Sequence, residues 1–343
     1  MKNSQPRHVL VYRLSALGDV AMTIPAVYSC AAAWPGVTFH VVTTAFCAQL
    51  FLNAPANVVL HPVEEPVATW PLLRSLRKID IDAVADLHNV LRSWMADAMF
   101  LLEGKQVRMM AKNRDERRAI LKEGKAAGQP FTMRYFDVFQ RLGLSCAPCF
   151  SSLFKTLPPL PAAVAKMAGN ASGRSKDDEP WIGIAPYARY ENKTYPLPQM
   201  QQVAQQLAGH HYARVFLFGS RGSQADTLRQ WEELSPRIHC IAGLLPLQQE
   251  LALMAHLDVM LSMDSANQHL ASLAGTRVVS VWGSTTPACG FMGWQQQMED
   301  AVCLHLPCQP CTIGGSPRCR LNTLDCMRKL PPSAIIRQIL VEK

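Results

Sequence analysis

The sequence lacks an apolar run long enough to span a lipid bilayer. It also lacks, near residue 1, the long apolar segment and small-residue cleavage site of a secretory signal peptide. Charged residues are few, at 17% of the chain, whereas hydrophobic residues make up 49%, a balance typical of soluble globular proteins. We therefore expect a cytoplasmic folded protein, and its 343 residues favour about two domains.

Motifs that mark nucleotide or metal sites are also missing. The loop G-S-R-G-S at 219–223 resembles a phosphate loop but lacks the G-x-x-x-x-G-K-[ST] pattern, so we predict no P-loop. No D-x-D metal motif lies in the stretches that follow the predicted strands, and no solenoid repeat is present. Positive charge at a ligand site is therefore expected from a basic side chain or from the start of a helix.

Cysteine, in contrast, is abundant. The chain has eleven cysteines, which a cytoplasmic protein would keep mostly reduced. Four of them lie near the end of the chain: Cys308, Cys311, Cys319 and Cys326. The second pair is spaced more widely than in usual zinc sites, so we favour reduced thiols that pack a loop, with a structural zinc as the alternative. The cluster has no interleaved basic and aromatic face, and we expect no nucleic-acid binding.

Strand-like apolar runs alternate with helical periodicity in both halves of the chain, as in doubly wound α/β domains. A stretch rich in proline, glycine, serine and charge, 156–180, interrupts this alternation. We predict an N-terminal domain at 1–160, a linker at 161–180 and a C-terminal domain at 181–330. The last helix, within 331–343, is expected to pack back on the N-terminal domain.

A strand–turn–helix–strand–turn pattern at 257–287 is the strongest candidate for a ligand site. Asp264 and Ser265 stand where a buried strand ends and a helix begins, and the loop after the next strand carries Ser284 and Thr285. Both turns fall at the carboxyl ends of parallel strands, where ligands bind. The unpaired N–H groups at the start of a helix suit a phosphate. The alternative is that Asp264 and Ser265 only cap the helix.

Three other stretches place polar residues beyond predicted strands. Asp19 lies in the first turn of a helix, where an ionised carboxylate can accept a proton from a hydroxyl, and the alternative is a helix-terminal carboxylate without chemistry. Lys193 lies in a polar loop from which it can reach a phosphate, or it is simply solvated. Asp86, His88 and Asn89 follow another strand and are either ligand-contacting residues or caps.

Positive charge is concentrated between Lys105 and Lys125, where eight basic residues occur with three acidic ones in a chain of net charge +8. Arg114, Arg117 and Arg118 lie at the centre of this segment. Such a patch favours a polyanion or an anionic membrane surface as partner. The alternative is a solvated helix face with ion pairs.

Several of these stretches, taken together and in order, resemble glycosyltransferase family nine, the ADP-heptose:lipopolysaccharide heptosyltransferases. The similar segments span residues 13–287 and read R-L-S-A-L-G-D-V-A-M-T-I-P-A, D-L-H-N-V-L-R-S, N-K-T-Y-P, M-D-S-A-N-Q-H-L-A and V-W-G-S-T-T-P. The resemblance implies a GT-B fold, in which two Rossmann-like doubly wound domains face a central cleft. It also implies a glycosyltransferase that inverts the configuration of the transferred sugar.

The resemblance assigns roles to individual residues. Asp19 matches the family's proposed general base, and Lys193 matches its phosphate-binding lysine. The nucleotide motif D-[ST]-G-x-x-H matches three residues of the central pattern: Asp264, Ser265 and His269. On its own, His269 reads more simply as a buried core histidine. Ala266 replaces the motif's glycine, so its methyl group crowds the closest approach of the backbone to a phosphate.

The implied function is transfer of a heptose from ADP-heptose to the lipopolysaccharide inner core, with Kdo-lipid A or a heptosyl saccharide as acceptor. The candidates for holding the ADP-sugar donor are Lys193, Asp264, Ser265, Ala266, His269, Ser284 and Thr285. The candidates for holding the anionic, lipid-linked acceptor are Asp86, His88, Asn89, Arg114, Arg117 and Arg118. No metal cofactor is expected to be required.

The expected location is the inner face of the inner membrane, whose anionic surface would hold the enzyme as a peripheral protein. Two alternatives stay open at this point. The enzyme uses another nucleotide-activated sugar, or it is a GT-B sugar-nucleotide epimerase, which would form its product from the donor alone.

Overall fold

The structure is a computed structural model that describes residues 5–64, 69–123, 128–169 and 179–341. The chain divides into two compact units. The N-terminal unit comprises residues 1–114 and 129–153, and the C-terminal unit comprises residues 115–128 and 154–343. Each unit is built on one fully parallel sheet.

Strands and helices alternate through the first half of the chain. The elements are β1 (His8–Tyr12), α1 (Leu17–Ala33), β2 (Thr38–Thr44), α2 (Ala45–Ala48), β3 (Val58–Val63), α3 (Thr69–Leu76), β4 (Ala83–Asp86), α4 (Leu91–Leu102), β5 (Gln106–Met109), α5 (Arg114–Glu123) and α6 (Phe131–Arg141). The sheet order is β3-β2-β1-β4-β5. Because a parallel sheet is covered on both faces, its central strands read as nearly continuous apolar runs, such as V-L-V-Y in β1.

The second half repeats this architecture. Its elements are α7 (Ala162–Ala168), β6 (Trp181–Ala185), α8 (Leu197–Gly209), β7 (Arg214–Leu217), α9 (Ser223–Gln230), β8 (Ile238–Cys240), α10 (Leu247–Met254), β9 (Val259–Met263), α11 (Ala266–Leu273), β10 (Arg277–Val281), β11 (Ala301–Val302), α12 (Asp325–Arg328) and α13 (Pro332–Ile339). The order β11-β10-β9-β6-β7-β8 is that of a Rossmann sheet. The strand order therefore reverses between β6 and β9, the switch point at which such sheets bind ligands.

The unit boundaries differ from the expected domain limits. From Asp115 onward, α5 groups with the C-terminal unit, in which Ile120 is buried and Gly128 donates its N–H to the carbonyl of Ala288 at 2.9 Å. The described part of the expected linker at 161–180 contains α7, whose Val164 is buried, and residues 170–178 lie outside the described residues. The N-terminal unit therefore consists of two separate stretches of the chain, because α5 packs with the C-terminal unit from Asp115 onward.

The last helix corrects one expectation. Ile335, Ile336 and Ile339 of α13 are buried in the core of the C-terminal unit, with residues of α8 and β10. Their spacing forms one apolar stripe, and this stripe packs within the C-terminal unit, where packing on the N-terminal domain was expected. Within the described residues, no helix has the length and apolarity needed to cross a bilayer.

Three histidines form a chain of contacts across β1, β2 and β3. His40 Nε2 lies 3.2 Å from His8 Nδ1, and His40 Nδ1 lies 3.0 Å from His61 Nε2. Burial, followed by the neighbouring imidazoles of His61 and His8, lowers the pKa of His40 to about 4. Burial also lowers the pKa of His61. His40 and His61 are therefore neutral at pH 7, and each adjacent pair of rings can share one N–H.

This chain predicts that mild acid destabilises the N-terminal unit. The unfolded His40 takes up a proton as the pH falls through about 6.5, whereas the folded residue stays neutral until about pH 4, so stability is lost between these values. We expect a loss of about 1–2 kcal/mol between pH 7 and pH 4.5, after discounting for solvent screening. Urea unfolding, with hydrogen exchange of the β2 amides to localise the change, measures it.

The matched variants are His40→Gln, which removes the titrating group, and His210→Gln at an exposed histidine. The first should flatten the pH dependence, and the second should leave it as in the wild type. An unchanged slope in His40→Gln would assign the acid sensitivity to other groups.

Candidate functional site

Asp264 joins three loops at the carboxyl edge of the C-terminal sheet. It follows β9, and its carboxylate is buried, with 3% of the residue exposed. Oδ2 lies 2.7 Å from Lys193 Nζ and accepts a hydrogen bond from Thr285 Oγ1 at 2.6 Å. Oδ1 accepts a hydrogen bond from Gln268 Nε2 at 3.1 Å. Because β6, β9 and β10 are neighbours in the sheet, the loops that follow them meet at this one carboxylate.

The pair of Lys193 and Asp264 is a buried ion pair, since only 12% and 4% of the two side chains are exposed. Removing one partner of such a pair leaves an uncompensated charge and typically costs about 3–5 kcal/mol. An ammonium group has three N–H donors, so the contact with Asp264 leaves donors that can reach an anion. Asp264 holds Lys193 and Thr285 in place, and its direct contact with a donor stays a prediction.

The start of α11 offers N–H groups beside this pair. Ser265 is the N-cap residue, with an extended backbone and no side-chain cap hydrogen bond. Its hydroxyl lies 3.2 Å from that of Ser262 instead. Ser265 and Ala266 are partly exposed, whereas His269, one turn further on, is buried. The N–H groups of the first turn are thus not satisfied by the cap side chain and suit an anion.

The loop after β10 completes the cluster. Ser284 is buried, and its hydroxyl has no hydrogen-bond partner among the described residues. Its N–H donates to the carbonyl of Asn192 at 3.0 Å, which ties the loop to the turn that carries Lys193. Gly283 allows this approach, because a Cβ there would lie 2.6 Å from the same carbonyl oxygen. A buried unpaired hydroxyl is costly and marks a place where a ligand oxygen can bind.

Residues of the C-terminal cysteine segment, 303–326, hold the loop after β10 in place through hydrogen bonds. Gln309 Nε2 donates to the carbonyl of Gly283 at 2.6 Å. The N–H groups of Cys311 and Thr312 both donate to the carbonyl of Ser284, at 2.9 and 3.1 Å. Sequence reasoning missed Gln309 and Asn192, because neither residue is part of a periodic pattern. The one signal that could have indicated Asn192 is its position, because it directly precedes Lys193 in the N-K-T-Y-P segment.

The four cysteines of the alternative zinc site lie around one cavity. Cys308, Cys311, Cys319 and Cys326 line a space of about 320 Å³ together with Asn192 and Ser284. Burial, followed by the neighbouring cysteines, raises the pKa of Cys326 to about 12, and burial raises that of Cys311. All four are free thiols. In the described part of the chain, no three His, Cys, Asp or Glu side chains are arranged to hold a metal ion, and the zinc site stays a prediction.

In the N-terminal unit, Asp19 lies in the first turn of α1, directly after the turn that follows β1. Its Oδ2 contacts Arg13 Nη2 at 2.7 Å and accepts a hydrogen bond from the N–H of Ala16 at 3.3 Å. Arg13 is fixed in turn by the carbonyls of Ser15 and Leu87, at 2.9 and 2.7 Å. The Asp19 side chain is 32% exposed, so a carboxylate held by one oxygen faces solvent and can accept a proton.

Asp86 differs from the prediction. Its carboxylate has no exposed surface, and it accepts hydrogen bonds from the N–H groups of His88 and Asn89, both at 2.8 Å, and from Ser93 Oγ at 2.6 Å. These contacts organise the loop between β4 and α4. Both oxygens of Asp86 are used inside the fold. Asp86 therefore positions this loop, and the expected contact with an acceptor is corrected.

The two residues after Leu87 are only partly exposed. Asn89 has a left-handed backbone, and its amide donates to the carbonyl of Met110 and accepts from Trp94 Nε1, at 2.7 and 2.8 Å. Burial, followed by the charge of Arg13, lowers the pKa of His88 to about 4. His88 Nδ1 is buried without a hydrogen-bond partner in the described residues. Of this group, His88 is the residue whose ring keeps an unused hydrogen-bonding atom.

The basic segment is divided. Arg114 opens α5 and belongs to the N-terminal unit, whereas Arg117 and Arg118 belong to the C-terminal unit. Arg118 is exposed and lies 3.4 Å from Asp115 of the same helix, a surface pair of little energetic value. The three predicted acceptor arginines thus share one helix but not one unit.

Comparisons with known proteins match this architecture. The sequence model of "Glycosyltransferase family 9 (heptosyltransferase)" matches residues 69–318. The structure of E. coli ADP-heptose lipopolysaccharide heptosyltransferase II is similar, with 17% identity, 97% of each chain covered and a TM-score of 0.66. E. coli heptosyltransferase WaaC with ADP has 17% identity over 97% of this chain and 98% of its own, with the same TM-score. No curated protein sequence matches the chain.

A more distant similarity is to TibC from enterotoxigenic E. coli, described as an iron-containing dodecameric glycosyltransferase. It has 12% identity over 99% of this chain and 76% of its own, with a TM-score of 0.60.

These structural similarities confirm the expected GT-B class of two Rossmann-like domains. The identities are low, so the structures establish the fold. The family model covers most of the chain, including Lys193, Asp264 and Ser284. The chain therefore belongs to glycosyltransferase family 9, the heptosyltransferase family, and is a glycosyltransferase.

Proposed function

We propose that the enzyme transfers a heptose from ADP-heptose to the lipopolysaccharide inner core, with inversion at the transferred carbon. The observation that carries the proposal is the cluster of Lys193, Asp264 and Thr285 beside the uncapped start of α11, at the switch point of a Rossmann sheet. This combination of cation and N–H groups suits a diphosphate. Structures of WaaC with ADP and with ADP-2-deoxy-2-fluoro heptose support an ADP-sugar as the donor.

In the proposed reaction, the donor diphosphate accepts hydrogen bonds from Lys193, the N–H groups at Ser265 and Ala266, and the Ser284 hydroxyl. These groups stabilise the negative charge that develops on ADP as the sugar leaves. Asp19 accepts the proton of the attacking acceptor hydroxyl, whose oxygen forms the new glycosidic bond. We expect this arrangement to need no metal, because the Lys193 ammonium and the helix start supply the positive charge.

The acceptor in this proposal is an anionic, lipid-linked saccharide such as Kdo-lipid A or its heptosylated form. His88 and the basic side chains of Arg114, Arg117 and Arg118 would contact it, with Asp86 and Asn89 shaping the loop. Such an acceptor places the enzyme at the inner face of the inner membrane as a peripheral protein. A panel of sugar nucleotides tests the donor, and product formed from donor alone would indicate an epimerase.

The general-base role of Asp19 predicts a large loss of turnover in Asp19→Asn. The amide keeps the shape of the side chain but cannot take the proton, so we expect transfer to fall about 10²–10⁴-fold with ADP binding preserved. The assay is product mass with ADP-heptose and a deep-truncated lipopolysaccharide acceptor. Asp226→Asn is the matched control, since Asp226 also lies in a first helical turn and pairs with an arginine, Arg229.

Activity of Asp19→Asn within tenfold of the wild type would remove Asp19 from the base role while keeping the transferase. Asp19→Asn also removes the charged partner of Arg13, which can lower its melting temperature below that of the wild type. In that case, retained ADP affinity would show that the loss of activity is not caused by unfolding.

The phosphate-binding role of Lys193 predicts that Lys193→Gln lowers kcat/KM for the donor about 10²–10³-fold. The exposed Lys155→Gln is the control and should match the wild type. Isothermal titration with ADP separates binding from chemistry. Because Asp264 loses its buried partner, the melting temperature should also fall. Unchanged ADP affinity together with unchanged kcat/KM would place the diphosphate elsewhere.

The metal content of the purified enzyme tests the alternative for the cysteine cavity. Since the thiols are not arranged as a metal site, we expect well under one zinc or iron ion per chain and full transfer activity after treatment with a chelator. Iron is included because TibC is described as iron-containing. One ion per chain that is lost in Cys308→Ser/Cys311→Ser would establish a structural metal instead.

A further inference from the structure

The outward face of α4 is apolar along its whole length. The exposed fractions are 74% for Leu91, 45% for Trp94, 44% for Met95, 55% for Leu101 and 90% for Leu102. Ala98, between them, is exposed as well. We call these six residues the α4 face. Exposed leucines are unremarkable singly, but a contiguous row of large apolar side chains marks an interaction site.

Helical spacing explains why these residues form one surface. Positions three, four and seven apart lie on the same side of a helix, and the α4 face follows this spacing from Leu91 to Leu102. The opposite side packs into the core of the N-terminal unit through Ala96, Met99 and Phe100. Among the twelve residues of α4, all of which are described, Arg92 is the exposed charged residue, and it lies at the margin of the face. An ordinary surface helix would carry charges in the middle of this side.

Basic residues flank the α4 face. Lys112 Nζ lies 5.7 Å from the centre of the Trp94 ring, and Lys105 follows the helix within three residues of Leu102. Glu103, the acidic residue at the same end, is paired with Arg77 at 3.1 Å. The border of the apolar surface is therefore predominantly positive, in a chain whose net charge is +8.

We propose that the α4 face docks the enzyme on the surface of an anionic lipid bilayer. An apolar helix face with a tryptophan and a positive border has the chemistry of helices that lie in the membrane interface. Anionic headgroups attract the lysines, and the indole ring suits the boundary between headgroups and acyl chains. The inference deepens the proposed function and rests on it for the choice of a lipid-linked acceptor.

The size of the surface favours a membrane over a second copy of the chain. Twelve residues of helix are about 18 Å long and about 10 Å wide. The footprint is then about 200 Å², well below the roughly 800 Å² per partner that a stable dimer buries. A bilayer needs no matching partner surface, because the side chains insert between lipids.

Docking through this face would bring the candidate acceptor loop to the lipid. The loop that carries His88 runs directly into Leu91, the first residue of α4. Membrane contact along α4 would thus hold this loop at the depth of the headgroups, where the saccharide of a lipid-linked acceptor lies.

Vesicle flotation of the full-length enzyme tests the proposal. The vesicles contain 30% phosphatidylglycerol in phosphatidylethanolamine, and pure phosphatidylcholine serves as the neutral reference. We expect the wild type to float with the anionic vesicles, and the variant Met95→Gln/Leu101→Gln/Leu102→Gln to partition at least about tenfold less. The matched control, Leu157→Gln/Leu244→Gln/Leu340→Gln, changes three leucines that are exposed elsewhere and should float like the wild type. Lys105→Gln/Lys112→Gln should weaken binding and its salt dependence.

Three outcomes would overturn the docking surface. They are equal flotation of wild type and α4 variant, absence of wild-type binding to anionic vesicles, and a wild-type dimer in light scattering that becomes a monomer in the α4 variant. Transfer to a deacylated, soluble acceptor runs in parallel and should be unchanged in the α4 variant. Flotation without any transfer by the wild type would contradict the proposed function and leave the docking surface standing.

Discussion

The ion pair between Lys193 and Asp264 is the contact on which the candidate donor site depends. A lysine at a sheet edge would ordinarily extend into water, and a buried carboxylate would ordinarily repel a phosphate. In the pair, the carboxylate fixes the lysine ammonium in place and leaves it N–H donors that a phosphate can accept. The pair exists because β6, β9 and β10 are adjacent and parallel, so the loops after them reach the same point. Thr285 and Gln268 donate further hydrogen bonds to the carboxylate, one to each oxygen, which helps to stabilise a buried charge.

Three aspartates beyond strand ends show how environment assigns a role. Asp264 and Asp86 are buried, and each holds backbone or side-chain donors in its own unit. Asp19 is different, because Arg13 holds one oxygen while about a third of the side chain is exposed. A carboxylate whose oxygens are all engaged can only position its neighbours. An exposed one that is held in place by an arginine can take part in proton transfer.

Much of the fold could be predicted from local pattern. The strands were expected because buried parallel strands read as short apolar runs, and the helices because of their periodicity. Asp19, Ser265 and Ser284 lie at strand ends or helix starts, and Lys193 lies in the loop after β6, which is where the pattern placed them. The structure corrected Asp86, whose burial is invisible in the sequence, and α13, whose isoleucine stripe does not say which sheet it covers. The contacts of Gln309 and Asn192 with the loop at 283–284 join residues far apart in the chain, and no spacing rule reveals them.

The sequence by itself determined the two α/β halves, the family resemblance and the residue types available for binding a diphosphate, because periodicity, turn chemistry and motif order are local properties. Only the tertiary structure decided which of these residues meet. It paired Lys193 with Asp264, engaged both oxygens of Asp86, brought Asn192 and Ser284 to the cavity of the C-terminal cysteines and left one side of α4 uncovered. The reason is physical: burial and charge pairing depend on the neighbours that strand order and helix packing bring into contact, and those neighbours lie far away along the chain.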